Sequence, residues 1–248
     1  MDNHSQFGED AKGGTSPIVF CDFDGTISQL DVTDQILDQL AHPAWRDVER
    51  EWAMGLIGSR ECLERQITLV KSSRDDLHAV IDSITLDSYF AEFHRFMRRK
   101  RVPLYIVSDG FDYVIRRVLK RAGVRGSFRN GLQLFASALR VEEHRLTPSF
   151  PHSPTPCEHG CATCKPAVIR RLSKGRQPII FVGDGMSDRF AVEAADVVFA
   201  KRQLLAHCRE NDIPCHPFET FKDVHAVVES LFVPAPVRRF RQVVAVAS

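Results

Sequence analysis

Three polar clusters stand directly after short apolar runs in this 248-residue chain. Asp22-Phe23-Asp24-Gly25-Thr26 follows Ile18-Val19-Phe20-Cys21, and Ser108-Asp109-Gly110 follows Leu104-Tyr105-Ile106-Val107. Gly183-Asp184-Gly185-Met186-Ser187-Asp188 follows Ile179-Ile180-Phe181-Val182, with Lys165 ahead of it. Carboxylates at this spacing suit cation binding, nucleophilic attack and proton transfer, while a serine hydroxyl and a lysine ammonium suit an anion. Taken one at a time these residues read as helix caps, turns or solvated charges. As an ordered set after separate strands they read as a ligand site on one sheet edge.

The apolar runs are short and unbroken, the pattern of strands buried on both faces. Val197-Val198-Phe199 adds a fourth, and Gln133 to Val141 is β-prone beside a turn-rich, Pro-rich stretch from Thr147 to Pro156. Helical spacing joins Phe111, Val114, Ile115, Val118 and Leu119, with Gly123 as a terminator, and Pro166 suits a first helical turn. Between residues 31 and 100 only helical periodicity occurs, as in Val32, Ile36, Leu37 and Leu40, or Tyr89, Phe93, Phe96 and Met97. The expected fold is α/β, a doubly wound parallel sheet with an inserted helical cap. The expected division is a catalytic core of residues 17–30 and 101–233, a cap of 31–100, a disordered polar N-terminus of 1–16 and a flexible basic tail of 234–248.

Composition narrows the function. Thirty-three basic and thirty-two acidic residues leave a formal charge of +1, so neither nucleic acid nor a membrane surface is an expected partner. No apolar run approaches the roughly 20 residues that span a bilayer, and residues 1–16 lack the apolar segment of a signal peptide. Seven cysteines, an odd number, fit a reducing cytoplasm with free or metal-bound thiols. A monomer or homodimer is expected.

The order CDFDGT, IVSDG, CKP and VGDGMSD resembles the haloacid dehalogenase superfamily of aspartate-nucleophile phosphatases, and the helical insertion resembles that superfamily's type 1 cap. The resemblance implies an Mg²⁺-dependent phosphomonoesterase acting on a small phosphorylated metabolite. Asp22 would attack phosphorus and form an aspartyl phosphate that water hydrolyses, with a divalent cation shielding the two anions from each other. Asp22, Asp184, Asp188 and the Asp24 carbonyl would hold the ion. Asp22 and Asp24, two apart, would face the same way, and Asp24 would protonate the leaving oxygen and then activate water. Ser108, the Gly110 N–H and Lys165 would hold the phosphoryl oxygens, with Asp109 beside them.

The cap should set specificity. Phosphoserine phosphatases, on this resemblance, place an acidic residue after the first motif and an arginine in a cap helix. Asp31 matches the first, with Asp34 as its alternative, but the arginine position carries Glu64, and Arg65 lies about 100° around the helix. The methionine-salvage phosphatases that act on 2-hydroxy-3-keto-5-methylthiopentenyl-1-phosphate are similar at further points. These are Pro43-Ala44-Trp45, Arg65, Ser108 to Asp112, Pro151-His152 and the cysteine-rich approach to Lys165. Asp31, Arg65 and His152 are therefore candidate substrate contacts, while Trp45 and Trp52 are expected to pack inside the cap.

Cys157, Cys161 and Cys164, with His152 and His159, also gather the ligand types of a tetrahedral Zn²⁺ site, although zinc modules usually split their ligands into two pairs. Cys21, Cys62, Cys208 and Cys215 read as buried thiols. Two other functions compete: phosphoryl transfer to a second acceptor on the same scaffold, and a non-catalytic binding protein. The intact set from Asp22 to Asp188 opposes the last.

Overall fold

The computed structural model describes residues 17–124, 132–143, 145–154, 156–174 and 178–232. The N-terminus of 1–16, expected to be disordered, and the tail of 234–248, expected to be flexible, lie outside the described residues.

A seven-stranded sheet runs β4-β3-β2-β1-β5-β6-β7. Its strands are β1 (Ile18–Cys21), β2 (Leu104–Phe111), β3 (Gln133–Val141), β4 (Leu146–Ser149), β5 (Ile179–Gly183), β6 (Val197–Ala200) and β7 (His216–Pro217). All neighbours are parallel except β3 and β4. Every side chain of β1 is buried, as an unbroken apolar run with both faces covered requires. The chain travels from β1 to β2 on one side and later enters β5 on the other, so a crevice opens beyond the carboxyl end of β1.

Helices α1 (Val32–Leu40), α2 (Trp45–Ala53), α3 (Ser59–Ile67), α4 (Arg74–Ser83) and α5 (Phe90–Arg99) lie between β1 and β2. Asp31 caps α1 by accepting from the Asp34 N–H, and Ser73 with Asp76 forms a reciprocal capping box on α4. The chain leaves and returns through one paired segment, where Ser28 bridges Leu86 antiparallel and the Gln29 N–H donates to the Thr85 carbonyl. Beyond it come α6 (Asp112–Arg121), α7 (Lys165–Ser173), α8 (Arg202–Glu210) and α9 (Phe221–Ser230). Helix α5 buries Phe90 and Phe93 against Phe221 of α9, at ring-centroid distances of 5.0 and 5.3 Å.

Two strand expectations need correction. The apolar run of β2 ends at Val107, yet the strand continues to Phe111 across the polar residues. Val107 pairs with Phe135 and Phe111 with Ser137, so Ser108-Asp109-Gly110 forms a bulge rather than a turn after the strand. The Ser137 hydroxyl holds that bulge by donating to the Asp109 carbonyl at 2.8 Å. The start of the Pro-rich stretch lies in β4, with Pro148 opposite Leu139. An edge strand tolerates proline because the missing N–H has no ladder partner to lose.

Candidate active site

Register builds the centre of the site. Cys21 lies across from Val182, and the Asp22 N–H donates to the Val182 carbonyl at 2.9 Å, so the turn after β1 is locked beside the turn after β5. Asp22, Asp184 and Asp188 are all buried, and one carboxylate oxygen of each lies within 4.8 Å of the others. The Asp188 carboxylate accepts from the backbone N–H groups of Asp184 and Gly185 at 3.0 and 3.1 Å, closing the turn on itself. A Cβ on Gly183 would meet that carboxylate oxygen at 2.5 Å.

Lys165 is 1% exposed and opens α7, which carries Pro166 in its first turn as the sequence suggested. Its Nζ donates to Asp22 at 2.9 Å, to Asp188, and to the Ser187 hydroxyl at 3.1 Å. Burial pulls the ammonium pKa down, but Asp188, Asp22 and Asp109 outweigh it and hold the group charged. Burial pushes Asp22 up from the ordinary carboxylate value, Lys165 opposes this, and Asp188, Asp24 and Asp184 add repulsion. One ammonium thus faces more negative charge than it neutralises. This excess, on clustered hard oxygen donors, fits a small dication such as Mg²⁺.

Asp24 is aimed elsewhere. Its carboxylate accepts from the Val32 N–H at 3.0 Å and from the Ser108 hydroxyl at 3.1 Å. Burial and the charge of Asp31 push its pKa up to about 8. The side chain does not join the three-carboxylate group, which leaves its backbone carbonyl as the donor assigned to it in sequence. The Gly110 N–H donates to Ser108 Oγ at 3.0 Å, so serine, amide and Asp24 form one relay. Asp109 lines the cavity, but one carboxylate oxygen is taken by the Thr163 N–H at 2.8 Å.

Two residues to which the sequence assigned no role also hold the site. The Thr26 hydroxyl donates to Asp184 at 2.8 Å, and Arg202 bridges Asp184 at 3.3 Å and the Gln29 carbonyl at 2.6 Å. Gly25 has φ +68, and a Cβ there would meet Asp184 at 2.3 Å, so glycine is required on both counts.

Asp22, Asp24, Ser108, Asp109, Asp184 and Arg202 line a cavity of about 320 Å³, whose far side is built by Asp31, Asp34, Glu49, Trp52, Cys62, Leu63 and Gln66. Asp31 therefore reaches the cavity. Arg65 does not: it pairs with Glu51 at 2.6 Å on the outer side of α3. His152 also lies outside, edge-on to Phe135 with centroids 5.2 Å apart. Trp45 is buried as expected, whereas half-buried Trp52 lines the cavity. Cys157, Cys161 and Cys164 converge at a separate place, and neither His152 nor His159 joins them, because the His159 ring stacks on Phe190 at 3.7 Å.

The crowded carboxylates make a pH prediction for the ion-free protein. Asp24, Asp34 and Asp184 have folded pKa values of about 8, 7 and 6, all pushed up chiefly by burial. The folded form thus holds protons that the unfolded chain releases near pH 4, and the associated stability is lost as pH rises through those values. His94 and His152, lowered by burial, act in the opposite sense, but only up to about pH 6.5. Thermal unfolding in chelator should show a midpoint that falls between about pH 6.5 and pH 8.5, and Mg²⁺ should flatten the fall. A midpoint that rises across that window would contradict the carboxylate crowding.

Comparison with known proteins agrees with this geometry. The haloacid dehalogenase-like hydrolase family model matches residues 19–193. The 2-hydroxy-3-keto-5-methylthiopentenyl-1-phosphate phosphatase of Geobacillus thermodenitrificans is 31% identical over 84% of this chain and 93% of its own length. That of Bacillus cereus strain B4264 is 30% identical over 86% and 96%. Among solved structures, a hydrolase of the family from Salmonella enterica serovar Typhi superposes with a TM-score of 0.66 at 18% identity, covering 84% of this chain and 69% of that one. A phospho-aspartyl intermediate analogue of phosphoserine phosphatase superposes with a TM-score of 0.64 at 16% identity, covering 88% and 99%. With the fold, the four motifs and the family match in agreement, the chain belongs to the haloacid dehalogenase-like hydrolases and is a phosphoric monoester hydrolase.

Proposed function

We propose that this phosphatase requires Mg²⁺, works through an aspartyl phosphate on Asp22, and takes 2-hydroxy-3-keto-5-methylthiopentenyl-1-phosphate as its substrate in the cytoplasm. The observation that carries the reaction is the buried group of Asp22, Asp184, Asp188 and Lys165. Mg²⁺ held by these carboxylates and the Asp24 carbonyl would supply charge neutralisation for an anionic nucleophile meeting an anionic ester. Lys165 restrains the Asp22 carboxylate so that one oxygen faces the incoming phosphorus. Ser108 and the Gly110 N–H exchange their present partners for phosphoryl oxygens, and Lys165 turns its third N–H from Ser187 to the same group while keeping Asp22. Asp24 keeps its proton at neutral pH, gives it to the departing oxygen, and takes one from water in the second step. All seven cysteines are free thiols, which suits a reducing compartment. Among the described residues no helix is long and apolar enough to cross a membrane.

Substrate choice follows from the charges in the cavity. Among the described residues that line it, Arg202 is the only cation, and its guanidinium is engaged by Asp184 and Gln29. Phosphoserine would bring a carboxylate into a wall of Asp31, Asp34 and Glu49, where it has no partner. The salvage compound carries hydroxyl, keto and methylthio groups but no second anion. Its hydroxyl can donate to these carboxylates, and its thioether suits Trp52, Leu63 and Met186. The relatives' 30–31% identity over nearly their whole length supports the same assignment. The cover over the site is the helical insertion of residues 31–100, whose connecting segments pair at Ser28 and Leu86 and whose last helix, α5, also packs on α9.

The test is a phosphate-release assay with Mg²⁺ on the salvage compound, phosphoserine and phosphosugars. The salvage compound should exceed phosphoserine in kcat/KM by about 10²-fold or more, and chelation should abolish turnover. A preference for phosphoserine would reverse the substrate assignment, and phosphate appearing on a second acceptor would make the enzyme a phosphotransferase.

A further inference from the structure

The cavity does not use the three cysteines that precede Lys165. Cys161 and Cys164 are each 7% exposed, and Cys157 is half-buried beside them. Their sulfurs all lie within 4.8 Å of one another, although the residues are spread over eight positions. The chain is folded back to achieve this. Gly160 takes φ +58, its N–H donates to the Cys157 carbonyl at 3.2 Å, and the Cys164 N–H donates to the His152 carbonyl at 3.0 Å.

We propose that Cys157, Cys161 and Cys164 bind a structural Zn²⁺ ion that fixes the loop carrying Lys165. A tetrahedral ion with Zn–S bonds of about 2.3 Å sets its sulfurs about 3.8 Å apart, which is compatible with three sulfurs lying within 4.8 Å of one another. The sulfurs are soft donors and select against Mg²⁺, so the two metal sites are chemically distinct. With both imidazoles turned away, the fourth position is left to water. Burial raises the Cys157 thiol, yet N–H groups of Cys161 and His159 and the thiols of Cys161 and Cys164 outweigh it, holding Cys157 below the ordinary thiol value. Cys161 and Cys164 remain protonated, chiefly through burial. Each sulfur binds as a thiolate, so zinc uptake releases thiol protons to solvent.

The same loop joins both parts of the molecule. The Gly160 carbonyl accepts from the Arg60 N–H at 3.0 Å, and the Ala162 N–H donates to the Ser59 hydroxyl at 3.0 Å, both at the start of α3. A Cβ on Gly58 would meet the Gly160 carbonyl at 2.3 Å, so the two backbones touch. On the other side Thr163 donates to Asp109 and the chain continues directly into Lys165. An ion here ties α3, the β2 bulge and the buried lysine into one unit without contacting substrate.

The test is the metal content of the purified full chain after passage over a weak chelating resin. It should retain about one zinc ion per chain, retain it in Asp184→Asn, and lose it in Cys157→Ser. Cys157 is the least buried of the three, and circular dichroism would confirm that its serine variant folds. Cobalt-loaded wild type should show thiolate-to-metal charge-transfer absorption that Cys157→Ser lacks. Zinc removal should also lower the unfolding midpoint in saturating Mg²⁺. Zinc lost with Asp184→Asn but kept with Cys157→Ser would overturn the assignment. So would zinc-free protein whose loop thiols react freely, or a mass two hydrogens low that marks a Cys–Cys disulfide instead.

Discussion

Asp22→Asn should remove phosphatase turnover by about four orders of magnitude or more, while leaving the fold intact. An amide cannot attack phosphorus and accept a phosphoryl group, and loss of a covalent nucleophile has effects of this size in other hydrolases. The stability effect carries a separate sign. Asp22 is pushed up by burial and by neighbouring Asp188, Asp24 and Asp184, so its charge opposes folding in the ion-free protein. Asparagine removes that repulsion, and unfolding in chelator should occur at the same or a higher temperature. Phosphate release by Asp22→Asn at the parent rate would show that another group attacks phosphorus. A collapsed fold would show that Asp22 is chiefly structural.

Lys165→Met should be costly on both counts. The lysine is 1% exposed and bonded to Asp22, Asp188 and Ser187, so its loss leaves two buried carboxylates facing each other. Breaking a buried pair from one side typically costs about 3–5 kcal/mol, because the remaining charge has no solvent. Asp22 can take up a proton in response, so the loss should be larger at pH 8 than at pH 6, read by urea unfolding in chelator. Turnover should fall by about 10²–10³-fold, the usual cost of removing one donor to a transferring group. Asp22→Asn thus separates activity from stability, whereas Lys165→Met couples them. Equal stability of Lys165→Met and wild type would mean that the ammonium contributes nothing to holding Asp22 and Asp188 together.

Legibility in the sequence followed the range of the interactions involved. Strands β1 and β5 stood out because burial on both faces demands unbroken apolar runs. The acidic turns after them stood out because few structures place carboxylates behind two such strands. The β2 bulge was not legible, since its polar residues are held in the strand by β3 and the Ser137 hydroxyl. Edge strand β4 was hidden by Pro148, which an edge accepts and an interior strand does not.

The site divides the same way. Asp22, Asp24, Asp184 and Asp188 are determined by the sequence itself, because each sits within a few residues of a strand end and local geometry carries it to the crevice. Lys165, from a distant segment, was legible only through the motif that contains it. The partners Thr26 and Arg202, the outward turn of Arg65 toward Glu51, and the inclusion of Trp52 were decided by tertiary structure alone. A helix pattern tells which face is buried but not which neighbour that face meets. The direction of a long, charged side chain depends on the partner it finds there.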